Sequence, residues 1–266
     1  MTTIIGIKTT SGSVDAVVMG ADTRRVYFDN NNNPVGYGTC TKFIHREGAP
    51  WIMAYAGWET PHYYRFYQQL IGTVERELHT TVELGDLVEG RTHAPFAPVA
   101  RLALKHEYLT DQTRILLASS TSKNGVPEIW NFSDGRLRKY RGGKKGGLRY
   151  ASIGEGEIWV RRILGKFGVP RNAVTFEKAV ELVQFALDFS QGSYTRGYQL
   201  AIVTPHGVEL GPRFGASQRK AWSDYCEEVV KKYTGKRKCT TTEVDRIRRR
   251  VLKERLVLNK MRTNGN

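Results

Sequence analysis

Long apolar runs are absent from this 266-residue chain. A membrane-spanning helix needs about 18 or more apolar residues in a row, and no stretch of the sequence approaches that length. It opens on Met1-Thr2-Thr3 without the basic and apolar regions of a secretory leader. The three cysteines are odd in number and far apart, and neither they nor the six histidines show metal-ligand spacing. We therefore expect a cytoplasmic protein with no membrane partner, metal or cofactor.

Acidic residues are also scarce, since 26 Asp and Glu face 41 Lys and Arg and the formal net charge is +15. The excess is concentrated in residues 217–266, which hold 15 Lys and Arg against 6 Asp and Glu. A capping-box pattern at Thr240–Glu243, followed by an apolar stripe, predicts a helix in this region. We therefore expect a basic helical C-terminal extension over residues 212–266, with an anionic partner.

Residues 1–211 alternate between strand and helix patterns and are expected to form one domain. The order is strands, two helices, strands, two helices and strands. This order predicts an α+β fold in which two sheets lie between two helical layers. Strands are predicted at 3–8, 14–22, 37–45, 51–56, 114–118, 129–132, 136–140, 200–204 and 208–210, and helices at 60–78, 99–109, 158–167, 176–189, 217–233 and 240–262.

The second residue is the first candidate for chemistry, because removal of Met1 would expose Thr2 as the N-terminal residue. A free N-terminal threonine combines a hydroxyl nucleophile with its own α-amino group, whose pKa is about 7.7–8.0 in a model peptide. The amine can accept the hydroxyl proton directly or through water. Many chains have threonine at position 2, so the weight of this pattern depends on the residues around it.

Two N-terminal segments resemble the opening of proteasome β-type subunits and of related bacterial peptidases that form simple rings. They are Thr2–Lys8 (TTIIGIK) and Val17–Arg25 (VVMGADTRR), and a weaker similarity extends to about residue 211. The resemblance implies the four-layer αββα sandwich of the N-terminal-nucleophile (Ntn) hydrolases. It also implies a threonine-type peptidase or transpeptidase that acts on a peptide or protein and assembles as a homo-oligomer, such as a ring.

The same resemblance assigns further site residues. Asp22 and Lys42 match the acid that ends the second strand and the lysine that this acid orients. A buried ammonium lowers the cost of forming the alkoxide nucleophile, and a carboxylate keeps the lysine charged. Ala54 matches the residue whose backbone N–H is the oxyanion donor, with Gly57 as the competing register. Thr195 stands near the position of a supporting serine hydroxyl.

The chain departs from the family pattern in two places. Glu155 replaces the serine that is usual between two glycines, and no carboxylate precedes Thr195 at the family position, since Asp188 lies a helical turn too early. We therefore expect an altered or incomplete supporting network and weak, unusual or absent peptidase activity. The alternative function is an inactive scaffold whose basic C-terminal helices bind a partner protein or nucleic acid, which a retained Met1 would favour.

Overall fold

The structure, a computed structural model, describes residues 2–9, 14–29, 31, 33–56, 68, 72, 114–120, 126–133, 136–139, 150–154, 156–167, 169, 174–190, 197–235, 249, 250 and 253. Its strands are β1 (Ile4–Lys8), β2 (Val17–Asp22), β3 (Arg24–Phe28), β4 (Pro34–Thr39), β5 (Phe43–Ile44), β6 (Trp51–Ala56), β7 (Arg114–Ser119), β8 (Glu128–Ser133), β9 (Arg136–Lys139), β10 (Tyr150–Ile153), β11 (Gly197–Thr204) and β12 (Gly207–Gly215). Its longer helices are α1 (Glu157–Lys166), α2 (Phe176–Ser190) and α3 (Arg219–Thr234).

Two five-stranded antiparallel sheets form the frame of the described fold. The first has the strand order β10-β1-β2-β11-β12, and the second has the order β5-β6-β7-β8-β9. Between β2 and β5 the chain makes a separate two-stranded hairpin of β3 and β4, which we call the arm. Antiparallel sheets with helices grouped apart from them define an α+β fold, as predicted.

The central strands of the first sheet, β1, β2 and β11, are buried on both faces, which explains why they are apolar at nearly every position. Side chains on one face pack against the second sheet, and those on the other face pack against α1, α2 and α3. The first group includes Ile4, Met19 and Ala201, which share a cluster with Ile52 and Leu116 of the second sheet. The described residues therefore form at least three layers, with β1 and β2 in the middle.

The helix α3 is part of this core, although the sequence had predicted it as part of an extension. Trp222, Cys226, Val229 and Val230 follow the spacing of one helical face and are almost fully buried. The Trp222 ring stacks on Tyr198 of β11 with a centroid distance of 5.3 Å. In addition, β12 continues to residue 215, across the boundary predicted between residues 211 and 212. The sequence prediction missed this apolar stripe because the other face of α3 carries many charged residues.

The strand predicted at 37–45 is also different in the structure, because β4 ends at Thr39 and β5 begins at Phe43. The helices predicted at 158–167 and 176–189 are confirmed as α1 and α2. The helices predicted at 60–78, 99–109 and 240–262 lie almost entirely outside the described residues. Among the residues that the structure describes, no helix is both long and apolar enough to cross a membrane.

Candidate active site

Thr2 lies directly before β1 and is held through its backbone by the turn between β10 and α1. Its carbonyl oxygen accepts a hydrogen bond from the Gly156 N–H at 3.3 Å. Gly154, in the same turn, has a φ of +91°, and a Cβ built there would lie 2.2 Å from the Thr2 carbonyl oxygen. Only glycine fits both the left-handed backbone and the close approach. This turn therefore fixes the position of Thr2.

Asp22 ends β2 beside the start of β1 and is fully buried. Its carboxylate accepts hydrogen bonds from the Thr3 N–H and, at 2.9 Å, from the Arg24 N–H. The Asp22 N–H in turn donates to the Thr3 carbonyl at 3.0 Å. Burial raises the pKa of Asp22 to about 6, although the Thr3 amide, the Lys42 charge and the Arg24 amide each lower it. This carboxyl group therefore titrates near neutral pH.

Lys42 lies just before β5 of the second sheet and is only 5% exposed. Its charge acts on the Asp22 carboxyl, and its ammonium lies 5.6 Å from the centre of the Tyr55 ring. The Lys42 carbonyl accepts a hydrogen bond from the Tyr55 N–H at 3.2 Å. The structure thus places a buried lysine, directly before the second sheet, within electrostatic range of the buried aspartate that ends β2.

Ala54 lies in the middle of β6, is fully buried and pairs with Phe43 on one side and Leu116 on the other. Successive amides of a strand are directed to opposite neighbours, and the Tyr55 N–H is directed to Lys42. The Ala54 N–H is therefore directed to β7, where the sheet ladder is its expected partner. The competing residue, Gly57, follows the end of β6 and lies outside the described residues.

Two other residues singled out in the sequence, Thr195 and Glu155, also lie outside the described residues. The Asp188 carboxylate of α2 forms an ion pair with Arg219 of α3 at 3.4 Å. Asp188 therefore connects two helices of the outer layer. Within the described part of the chain, no group of three or more His, Cys, Asp or Glu side chains could hold a metal ion.

The structure adds one polar residue that sequence reasoning did not select. Gln199 of β11 is 4% exposed, and its side chain accepts a hydrogen bond from the Thr41 hydroxyl at 2.8 Å. Its Nε2 donates to the Gly211 carbonyl at 3.0 Å. The available signal was an amide side chain within the largely apolar segment GYQLAIVT, since a buried polar group needs a partner.

Comparisons with known proteins give a structural likeness alone. No family model matches the chain, and no curated protein matches it significantly. Among solved structures, it is similar to the Anbu (Gly-1) mutant from Hyphomicrobium sp. strain MC1, a proteasome-like protein, with a TM-score of 0.56 and 16% sequence identity. The match covers 87% of this chain and 97% of that chain. It supports the proteasome-like fold that the N-terminal segments had predicted.

Proposed function

We propose that this protein is an amide-bond hydrolase, a proteasome-like peptidase or transpeptidase, with Thr2 as its nucleophile after removal of Met1. The observation that carries the proposal is that hydrogen bonds and close packing hold the backbone in place at residues 2 and 3. The turn at Gly154 and Gly156 holds the Thr2 carbonyl, and the buried Asp22 carboxylate holds the Thr3 amide. Such fixed placement is what a nucleophile needs in order to meet a bound carbonyl carbon.

In the proposed reaction, the Thr2 Oγ attacks the carbonyl carbon of the scissile amide while the α-amino group of Thr2 accepts the hydroxyl proton. The C–N bond then breaks, and the leaving amine takes this proton. The acyl group remains on Thr2 as an ester. Water attacks the ester, with the same amine as general base, and releases the acid and free Thr2. In a transpeptidase, a second amine would replace the water.

Lys42 and Asp22 supply the electrostatic support for this step. At pH 7 the Asp22 carboxyl is mostly ionised, because its pKa of about 6 lies below that pH. The Lys42 charge acts on the Asp22 carboxyl, and a buried positive charge favours the alkoxide form of the nucleophile. Protonation of Asp22 below pH 6 removes that support, so activity falls as the solution becomes more acidic.

The remaining features of the proposal depend on the resemblance and lie largely outside the described residues. We propose the backbone N–H at the Gly57 register as the oxyanion donor, in place of Ala54, because Ala54 is paired within the sheet. Thr195 supplies a supporting hydroxyl. A second helical layer completes the αββα sandwich, and the protein works in the cytoplasm as a homo-oligomeric ring. Its substrate is a peptide or protein, and the basic residues of 236–266 contact an anionic partner.

The test is the intact mass of the protein made in its natural host, before and after treatment with a threonine-directed epoxyketone or β-lactone. We expect loss of Met1 and one covalent adduct on Thr2. Thr2→Ala should give no adduct, whereas Thr2→Ser keeps a hydroxyl and should still be labelled. A retained Met1, or an unmodified Thr2 in processed protein, would contradict the proposal and favour the scaffold function.

A further inference from the structure

Gln199 connects the two sheets close to the Asp22–Lys42 pair. It pairs with Ala21 in the neighbouring strand, the residue before Asp22, so its backbone lies close to that of Asp22. Ala21 belongs to the cluster between the sheets, and residues directly opposite each other on paired strands share a face. The Gln199 side chain is thus directed toward the second sheet, where it meets Thr41.

The hydrogen bonds define the orientation of the Gln199 amide. The Gly211 carbonyl can only accept, so the Gln199 Nε2 is the atom that faces it at 3.0 Å. The Oε1 is then left to accept the Thr41 hydroxyl at 2.8 Å. Both bonds are of normal length, and the side chain is 4% exposed. Gln199 is therefore fixed at both ends of its amide.

Through its hydrogen bonds, Thr41 connects the fixed Gln199 side chain to the residues around Lys42. Its hydroxyl oxygen also accepts the Phe43 N–H at 3.3 Å, so the same side chain contacts the residue that follows Lys42. Residues 40–42 are outside any strand, and β5 is only two residues long. Few backbone bonds therefore hold Lys42 in place, beyond the one from Tyr55 to its carbonyl.

We propose that Gln199 and Thr41 are positioning residues, which set the separation between the Lys42 ammonium and the Asp22 carboxylate. Gln199 lies in the sheet that holds Asp22, and Thr41 directly precedes Lys42. The hydrogen bond between Gln199 and Thr41 therefore links the sheet of Asp22 to the segment that carries Lys42. The inference rests on the proposed function for its catalytic meaning. The link between the residues can nevertheless be measured in a protein that has no activity.

The variants are chosen so that folding and positioning can be told apart. Thr41→Val keeps the shape of an exposed side chain and removes its hydroxyl, while Thr41→Ser keeps the hydroxyl and is the matched control. Gln199→Leu removes the other partner of the bond. If the two residues act through one bond, Thr41→Val has no further effect in a protein that already carries Gln199→Leu.

The first readout is the pKa of the Asp22 carboxyl, followed by NMR titration. Because the Lys42 charge lowers this pKa, its displacement should move the titration of Asp22 upward from about 6 in Thr41→Val, and leave it unchanged in Thr41→Ser. An unchanged Asp22 titration in Thr41→Val, even with a loss of stability, would overturn the inference, since the bond would then support only the fold.

The second readout is the rate at which a β-lactone labels Thr2, measured across pH. We expect Thr41→Val to react about 10-fold to 100-fold more slowly than Thr41→Ser, with its pH profile shifted in the same direction as the Asp22 titration. Equal rates would overturn the catalytic part of the inference. If the unmodified protein is not labelled at all, the proposed function fails, while the Asp22 titration still decides whether Gln199 and Thr41 position Lys42.

Discussion

At the residue scale, the position of Thr2 depends on a glycine that is remote from it in the sequence. Gly154 combines a positive φ with a backbone that approaches the Thr2 carbonyl more closely than any Cβ allows. The hydrogen bond from Gly156 N–H to that carbonyl depends on the same turn. A substitution at Gly154 therefore acts on Thr2 directly, without touching Asp22 or Lys42.

We predict that Gly154→Ala abolishes or strongly slows labelling of Thr2, because the new Cβ must push the Thr2 backbone aside. The control is Gly48→Ala, since Gly48 has a similar φ of +75° and nothing within 4 Å of a built Cβ. Both variants should lose about 1–2 kcal/mol of stability from backbone strain. Thermal unfolding together with the labelling rate separates the two effects, and equal labelling in both variants would contradict the prediction.

At the element scale, the packing of α2 on β2 depends on another close approach. A Cβ at Gly20 would lie 2.3 Å from the Val183 side chain and 2.9 Å from that of Leu187. The helix can therefore lie directly on the sheet at this point. Gly20 is two residues before Asp22, so a displaced helix disturbs the strand that carries the carboxylate.

We predict that Gly20→Ala lowers the free energy of unfolding by about 1–3 kcal/mol, because it overpacks a filled interface. Gly165→Ala is the control, since it lies on the exposed face of α1 with nothing within 4 Å of a built Cβ. Its free energy of unfolding should be unchanged or rise by up to about 1 kcal/mol, as expected of alanine in a helix. Urea denaturation checks both, and equal stability of the two variants would count against the packing argument.

The elements also show what could be read from the sequence. The helices α1 and α2 were predictable because their apolar residues recur at three and four positions, and β2 because it is apolar up to Asp22 at its end. Of the arm, only the end of β4 was predicted, as part of the strand expected at 37–45, because no described side chain of the arm's strands is buried and no clear apolar pattern results. The resemblance selected Asp22 as the acid that ends the second strand, but it did not indicate the hydrogen bond from the Thr3 amide. The roles of Gly154 and Gln199 could not follow, because they depend on contacts between residues far apart in sequence.

At the scale of the whole molecule, the fold contains a carboxyl group that opposes folding when it is ionised. The pKa of Asp22 is about 6 in the folded protein and 3.8 in a model peptide, so the folded state binds this proton more tightly than the unfolded chain. The contribution of Asp22 to stability is fully present below pH 4 and is lost as the pH rises through 6. The total change is about 3 kcal/mol.

We predict that Asp22→Asn removes this part of the pH dependence, because the amide cannot ionise. The free energy of unfolding of the unmodified protein, relative to the variant, should be higher at pH 4 than at pH 7 by about 2 kcal/mol, which is most of the total change. Guanidinium denaturation at the two pH values gives the comparison, and guanidinium suits it because its salt screens surface charges. A parallel pH dependence in the two proteins would show that Asp22 is ionised without cost in the fold.

The arm has a consequence for how this molecule can change over evolutionary time. The chain leaves the first sheet after Asp22 and enters the second sheet after Lys42. The arm lies in the segment between these two residues. Its base is closed by the Cys40 N–H, which donates to the Thr23 carbonyl at 2.8 Å, and by the pairing of Arg24 with Thr39. Residues beyond this closure can be inserted or lost without moving either charged group. The arm is therefore a segment in which related proteins are free to differ in length and sequence while the charge pair at its base stays the same.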